Sequence, residues 1–256
     1  MLLDPSDIDA YRVENGMSVW FLGGPSLAIR TVGSMLYLDL FTGPSPVPAV
    51  TKAIPEAIDP ATIRRADIAI STHFDEDHCD RNSLTWLHKN TQSLFLGPVS
   101  CNRLYQEWGF TLDRMRQIAA YESFGTNDVI VHAYPACDVF DPDAVTYVIE
   151  SSDVCIFDAG DSLYLPEMRQ IGQEWNLDVA LLSYANNPPG KTYYMDADGI
   201  VNAARDLRAK TIVLKHYDLW REFLADPFPL IERLRESGHD ARVFKLKERF
   251  DIRGEG

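Results

Sequence analysis

Short apolar runs separated by turn-forming residues fill the first part of the chain. Residues 17–41 are rich in β-branched and aromatic side chains, with turn signals at 23–25 and 32–34, which predicts a hairpin or a meander. The proline-rich stretch 42–60 predicts an ordered surface loop or a lid. A short apolar run over 67–71 then predicts a buried strand.

The rest of the chain alternates between apolar strands and helical segments. The pattern predicts strands near 117–121, 179–183 and 211–215, and a helix over 163–175. Strands dominate early and α/β alternation dominates late, which predicts an α+β protein with two packed sheets and outer helices. The pattern alone permits other α+β layouts. The length fits a single domain over 1–256, and no repeat is present.

The composition is that of a soluble globular protein, with 46% apolar and 24% charged residues. A net charge of −14 with no basic run disfavours a nucleic-acid partner, because a phosphate backbone would be repelled. The four cysteines show no CxxC spacing, and the chain begins with acids instead of a basic and apolar leader. No apolar run approaches the roughly 18 residues of a membrane span. We therefore predict a cytoplasmic protein without a membrane partner.

Metal-binding side chains are concentrated directly after three predicted strands. Five of the six residues from His73 to His78 can bind or polarise a metal ion, and an adjacent strand anchors their loop. Asp161 and His216 each follow another apolar strand. A solvated acidic loop with incidental histidines is the alternative interpretation of the first segment. Three such strand ends in one chain favour a metal site.

The motif His73-x-Asp75-x-Asp77-His78 resembles the H-x-H-x-D-H signature of the metallo-β-lactamase superfamily. Gly160-Asp161 resembles its bridging-aspartate motif. More narrowly, blocks within 59–64, 71–80, 97–101, 132–138, 160–162, 179–190 and 216–220 are similar to the L-ascorbate-6-phosphate lactonase family. The resemblance implies a four-layer αββα sandwich and a hydrolase with two divalent metal ions. The ligands it implies are His73, Asp75, Asp77, His78, Asp138, Asp161 and His216.

The resemblance also implies how these ligands divide. One ion would be held by His73, Asp75 and Asp138, the other by Asp77, His78 and His216, with Asp161 as the bridge. His132 is the alternative to Asp138.

Asp75 stands where the family has histidine, and an oxygen-rich set of ligands favours harder cations, so we expect Mn²⁺ ahead of Zn²⁺. Asp77 and Asp161 are the expected catalytic residues. Asp77 would orient a water that the cations acidify to the attacking hydroxide.

Further candidates follow two of the later strands. Tyr184, Asn186, Asn187 and Lys191 are expected to touch the substrate, with a purely structural turn as the alternative. Lys191, Lys215 and Arg221 could meet an anionic group, although each alone is more typical of a surface charge. Asp218 and Trp220 are expected to position His216 from behind.

The predicted function is hydrolysis of a small anionic ester. A lactone of a sugar acid or sugar phosphate comes first, on the resemblance alone, and so does a homo-oligomer. One alternative is a phosphodiesterase acting on cyclic nucleotides or other small phosphodiesters, since the same chemistry serves phosphorus. The other is a non-catalytic metal- or ligand-binding protein with a degenerate site.

Overall fold

The computed structural model describes residues 2–45 and 48–254, which form two seven-stranded sheets. The first sheet contains β1 (Met17–Gly23), β2 (Ser26–Arg30), β3 (Met35–Leu38), β4 (Ile68–Ile70), β5 (Leu94–Gly97), β6 (Met115–Gln117) and β14 (Arg249–Ile252). Their order is β14-β1-β2-β3-β4-β5-β6. The pairs from β14 to β3 are antiparallel and those from β3 to β6 are parallel.

The second sheet contains β7 (Ser123–Thr126), β8 (Val129–Pro135), β9 (Val145–Ser151), β10 (Val154–Asp158), β11 (Val179–Ser183), β12 (Thr211–Lys215) and β13 (Asp240–Val243). Its order is β13-β12-β11-β10-β9-β8-β7. The pairs from β7 to β10 are antiparallel and those from β10 to β13 are parallel.

Six α-helices accompany the sheets in the described part of the chain. They are α1 (Pro5–Ala10), α2 (Arg81–Asn90), α3 (Val99–Glu107), α4 (Glu167–Glu174), α5 (Ala197–Leu207) and α6 (Phe228–Glu236). Asp80 and Asp196 cap α2 and α5, because their carboxylates accept the free N–H groups of the first turn. None of these helices has the length and hydropathy needed to span a bilayer.

Three apolar clusters separate the layers of the fold. One lies between the sheets and joins residues such as Ile29 of β2 to Ile156 of β10. A second packs helices α1 to α3 on the outer face of the first sheet, and a third packs α4 to α6 on the second. Strands covered on both faces are buried at every position and are mostly apolar, as β2 and β12 are. The predicted αββα sandwich is confirmed.

The carboxyl ends of the parallel strands of both sheets open onto the same edge of the sandwich. Strand β4 leads into the loop from Ser71 to His78, and β10 and β12 lead to Asp161 and His216. The Tyr147 hydroxyl of β9 donates to the Ser71 carbonyl at 3.0 Å, which ties the two sheets together at this edge. The loops that carry candidate metal-binding residues therefore lie at the same edge of the sandwich, although they come from different sheets.

Candidate metal centre

The loop after β4 brings two histidines of the motif together. The N–H groups of His78 and Cys79 donate to the Asp75 carbonyl at 2.8 and 2.7 Å, forming a tight turn. The ring centroids of His73 and His78 lie 4.1 Å apart, and both side chains are buried. Buried ring nitrogens need hydrogen-bond partners or metal ions. The contacts of these two rings therefore show whether the loop could hold a metal ion.

Asp161 and His216 reach the same point from the second sheet. Asp161 Oδ2 lies 3.3 Å from His78 Nε2 and 3.5 Å from His216 Nε2. The Gly160 φ of 53° lies in the left-handed region, and a Cβ there would meet Thr72 Oγ1 at 3.0 Å, so the turn that presents Asp161 requires glycine. The side chains gathered here form a unit that we call the His–Asp cluster: His73, Asp77, His78, Asp161 and His216.

The donor atoms of the His–Asp cluster form two groups that share His78. His73, His78 and Asp161 form one group, and Asp77, His78 and His216 the other, with ligand atoms within 4.8 Å of one another in each. Three of the buried atoms, His73 Nε2, His78 Nε2 and Asp161 Oδ1, have no hydrogen-bond partner among the described residues. Imidazole nitrogen and carboxylate oxygen are common ligands of divalent cations. The residues therefore fit divalent metal ions, which would satisfy these atoms.

Asp75 and Asp138, two further predicted ligands, lie at the rim of the cluster. Asp75 Oδ2 is 3.7 Å from His73 Nε2, and its side chain is 28% exposed. Asp138 Oδ1 accepts the N–H groups of Phe140 and Asp141 at 2.8 and 2.7 Å. Both carboxylates line the cavity above the cluster, so each faces the centre without joining the buried groups.

His132, the alternative to Asp138, takes no part in the described metal-binding groups. Its ring nitrogens contact Ser123 Oγ at 2.8 Å and Glu150 Oε2 at 3.3 Å, and its ring packs against Trp175. With both nitrogens engaged there, His132 has a structural role in the second sheet.

Asp39 and Thr72 hold the histidines from behind, and the sequence analysis missed both. Asp39 Oδ2 lies 2.7 Å from His78 Nδ1, and Thr72 Oγ1 lies 2.9 Å from His73 Nδ1 while donating to Asp39. Contacts at Nδ1 leave Nε2 free, which is how a second partner orients a metal-binding histidine. Asp39 follows β3 directly, so the strand-end signal was present, but no histidine stands beside it in the sequence.

Charge is separated within the His–Asp cluster. Burial lowers the pKa of His78, but the carboxylates of Asp161, Asp39 and Asp77 outweigh it and hold that pKa well above its ordinary value. Burial raises the pKa of Asp161, but His216 and His78 outweigh it and leave that pKa well below the ordinary value. In the metal-free protein a proton on His78 therefore balances the surrounding carboxylates.

Metal binding is expected to release protons at neutral pH. A protonated imidazole cannot bind a cation, so ligation displaces the proton that the raised pKa of His78 retains. Metal affinity should therefore rise with pH until the raised pKa of His78 is passed. The stability that this proton gives the metal-free protein has the opposite sign: it is complete below pH 6.5 and lost as pH rises through the raised pKa. Calorimetric titration with Mn²⁺ in two buffers of different ionisation enthalpy measures the release, and identical heats would contradict it.

Lys215 is fully buried, although the sequence analysis predicted a surface charge or a partner for an anionic group. Its Nζ lies 2.8 Å from Asp158 Oδ2 and 3.0 Å from Oδ1. Burial lowers the pKa of Lys215, but Asp158 and Asp39 outweigh it and raise that pKa, so the side chain stays charged. This cation therefore compensates carboxylates that lie beneath the His–Asp cluster.

Trp220 and Asp218, predicted to position His216, form their hydrogen bonds with other groups. The Trp220 indole donates to Asp77 Oδ2 at 3.0 Å, so it positions another of the predicted ligands. Asp218 accepts the Gly24 N–H at 3.3 Å, and His216 Nδ1 has no hydrogen-bond partner in the described part of the chain. His216 has a φ of 70°, and this left-handed turn redirects the chain directly after the ligand.

A cavity of about 320 Å³ opens above the cluster, within the range of small-molecule sites. Its lining joins five carboxylates to apolar and aromatic side chains. The lining residues are Val50, Asp75, Glu76, Asp77, Asp138, Val139, Phe140, Asp161, Tyr193, Tyr194, Trp220 and Phe223.

The residues predicted to touch the substrate, Tyr184, Asn186, Asn187 and Lys191, are not among those that line this cavity. Asn187 Oδ1 instead accepts the N–H groups of Tyr193 and Tyr194 at 2.7 and 3.0 Å, and the Asn186 amide donates to the Leu224 carbonyl. These amides satisfy backbone groups and fold the segment back on itself. The side chains presented to the cavity are therefore the two tyrosines further along the chain.

Asn187→Ala is expected to loosen the loop that carries the tyrosines. Two backbone N–H groups lose their acceptor, at a cost of about 1–3 kcal/mol in unfolding free energy. Because the metal ligands are untouched, KM should rise more than kcat falls. Thermal unfolding and steady-state kinetics measure both effects. Lys191→Ala, an exposed change in the same loop, is the control, and equal behaviour of the two variants would contradict the assignment.

A two-sheet sandwich that gathers imidazoles and carboxylates at one edge defines a metallo-hydrolase fold able to bind divalent metal ions. A family model described as "Beta-lactamase superfamily domain" matches residues 42–217, which include every member of the His–Asp cluster. The chain belongs to the beta-lactamase superfamily. The resemblance carried by the motif from His73 to His78 is therefore confirmed.

Curated relatives include proteins named "Probable L-ascorbate-6-phosphate lactonase UlaG" from Salmonella gallinarum and Escherichia coli. Each is 29% identical to this chain over 197 residues, which cover 69% of the chain and 56% of the relative. The chain thus spans just over half the length of these relatives.

Several solved structures share the fold. A metallo hydrolase from Ignicoccus hospitalis has a TM-score of 0.75 at 19% identity, covering 93% of this chain and 99% of its own. An isothiocyanate hydrolase from Delia radicum gut bacteria has a TM-score of 0.75 at 17% identity, covering 93% and 100%. CmlA, a diiron beta-hydroxylase from Streptomyces venezuelae, has a TM-score of 0.74 at 13% identity, covering 94% and 55%. One fold carries different chemistries, so function must be argued from the site.

Proposed function

We propose that this protein is a metal-dependent hydrolase that opens a small lactone or related ester. The observation that carries the proposal is the His–Asp cluster, whose two groups of ligand atoms share His78 beneath a cavity of small-molecule size. Similarity to proteins named as lactonases supports a lactone as the first substrate to test.

The chain's own residues have separable tasks in this reaction. When bound, the cations would supply Lewis acidity and lower the pKa of a water at the cluster toward about 7. We assign Asp161 to bridge the two groups, because it contacts both His78 and His216. We assign Asp77 to orient the attacking water, because the Trp220 indole holds its carboxylate in place. Asp39 keeps the His78 ring in register.

We propose two ions, with Mn²⁺ ahead of Zn²⁺. Asp75 and Asp138 lie beside the cluster and bring the carboxylates to four against three imidazoles, and an oxygen-rich shell favours harder cations. Elemental analysis and anomalous diffraction at the metal edges count and identify the ions. Purified protein without any stoichiometric transition metal would contradict this assignment.

The activity is tested on Mn²⁺-loaded protein with a panel of lactones and a chromogenic phosphodiester in parallel. Lactone turnover that is lost on chelation and restored by Mn²⁺ supports the proposal. Preferential cleavage of the phosphodiester would replace it with a phosphodiesterase. Tight metal binding without turnover of either class would instead support a non-catalytic metal-binding protein.

A further inference from the structure

The cavity wall combines acidic and apolar residues. Five carboxylates line it, and no Lys or Arg side chain stands among its described lining residues. Two divalent cations carry four positive charges, so a fully loaded site would retain a negative excess. Glu76 lines the cavity and is the one carboxylate of its described lining that is not a proposed metal ligand, so it accounts for that excess. An additional anion on the substrate would meet repulsion here.

The chain's candidate cations are committed elsewhere or lie off the wall. Lys52 pairs with Glu56 at 2.9 Å, and Lys215 is buried in its ion pair beneath the cluster. Lys191 and Arg221 are exposed but do not line the cavity. Among the described lining residues, a phosphate or carboxylate on the substrate would therefore find no guanidinium or ammonium, although such groups are the usual partners of these anions.

Aromatic side chains and two valines form the rest of the described wall. The ring of Phe140 lies 5.2 Å from that of Tyr193, which lies 6.5 Å from that of Phe223; we call these three residues the aromatic wall. Val139 and Phe140 are 49% and 55% exposed, and neighbouring exposed apolar side chains at a cavity are typical of a binding surface. An apolar ligand group would remove this surface from water.

From this wall we infer that the substrate group beyond the reacting carbonyl is neutral and apolar, such as an aryl or branched alkyl substituent. The inference rests on the proposed hydrolase function and narrows it. It departs from the anionic substrate that the sequence predicts. The aromatic wall contacts the apolar group, and Glu76 disfavours a charged one.

A pair of metal-binding probes tests the inference without requiring turnover. Phenylacetohydroxamate and its para-carboxy counterpart place the same hydroxamate at the metals and differ only in the far charge. On Mn²⁺-loaded protein, calorimetry should give at least about tenfold tighter binding of the uncharged probe. Equal or tighter binding of the para-carboxy probe would overturn the inference.

Two variants and one control locate the effect. Phe140→Ala should weaken binding of the uncharged probe several-fold, and Glu76→Gln should narrow the gap between the two probes. Phe228→Ala removes an exposed phenyl at the start of α6, outside the cavity lining, and should change neither. If Phe140→Ala and Phe228→Ala behave alike, the aromatic wall is not the binding surface.

Turnover separates this inference from the proposed function. Higher kcat/KM for a phenyl-substituted γ-lactone than for a carboxylated one supports both. Preference for the uncharged probe with no lactone or ester turned over would remove the hydrolase proposal and leave the selectivity of the cavity standing. Faster turnover of the carboxylated lactone would overturn the inference and keep the hydrolase.

Discussion

Asp161→Asn is expected to lower kcat at least about a hundredfold without unfolding the protein. The carboxylate lies 3.3 Å from His78 Nε2 and 3.5 Å from His216 Nε2, and its Oδ1 is buried without a hydrogen-bond partner in the described residues. An amide keeps the shape but removes the charge and one of the two oxygens that can bind metal. Without this carboxylate the two metal-binding groups are no longer linked, so the metal content should fall together with kcat.

Metal analysis, steady-state kinetics and circular dichroism measure this outcome together. Asp143→Asn makes the same chemical change at an exposed position and should leave metal content and kcat unchanged. Near-normal turnover of Asp161→Asn with full metal content would show that Asp161 does not bridge.

Lys215→Met is expected to lower the free energy of unfolding by about 3–5 kcal/mol. Methionine fills most of the volume, but Asp158 is fully buried and loses the cation at 2.8 Å. The buried Asp39 loses the same compensating charge. An unpaired carboxylate in the protein interior carries a large desolvation cost, so one substitution leaves the base of the metal centre with uncompensated negative charge.

Chemical denaturation of the metal-free protein measures the loss. Lys210→Met removes an exposed lysine that pairs with Asp178 at 3.1 Å, and such a surface pair is worth at most about 1 kcal/mol. Adding Asp158→Asn to Lys215→Met should recover part of the stability, because the second change removes the stranded charge. A loss no larger than that of Lys210→Met would show that the buried pair contributes little.

The sandwich was predictable because its central strands are apolar on both faces. The segments missed by the pattern are short or exposed: α1 has six residues, and β7 and β14 present mostly exposed or half-buried positions at sheet edges. The strand predicted near 117–121 lies at Met115–Gln117, where it pairs with β5. The helix predicted over 163–175 begins only at Glu167, after Pro166. At these places tertiary pairing and proline geometry outweigh local hydrophobicity.

The members of the His–Asp cluster could be found from the sequence, because each lies one to eight residues after a strand. The residues that support the cluster from behind were not found in this way. Asp39 meets His78 across 39 positions, and Lys215 meets Asp158 across 57, so neither contact leaves a local pattern. The composition of the polar loop at Asn187 suits ligand binding and hydrogen bonding to backbone groups of the same loop equally. Only the fold decides between the two roles.

Substitutions in the loops that line the cavity can change substrate preference with little effect on the rest of the fold. Five residues that line the cavity lie outside the strands and helices and outside the His–Asp cluster: Val50, Val139, Phe140, Tyr193 and Phe223. In contrast, the residues that support the cluster from behind, Asp39, Thr72 and Lys215, are buried. Inherited changes at those loop positions can alter which molecule enters at little cost to folding. A mutant library confined to these five positions should yield many folded, metal-loaded variants with new preferences.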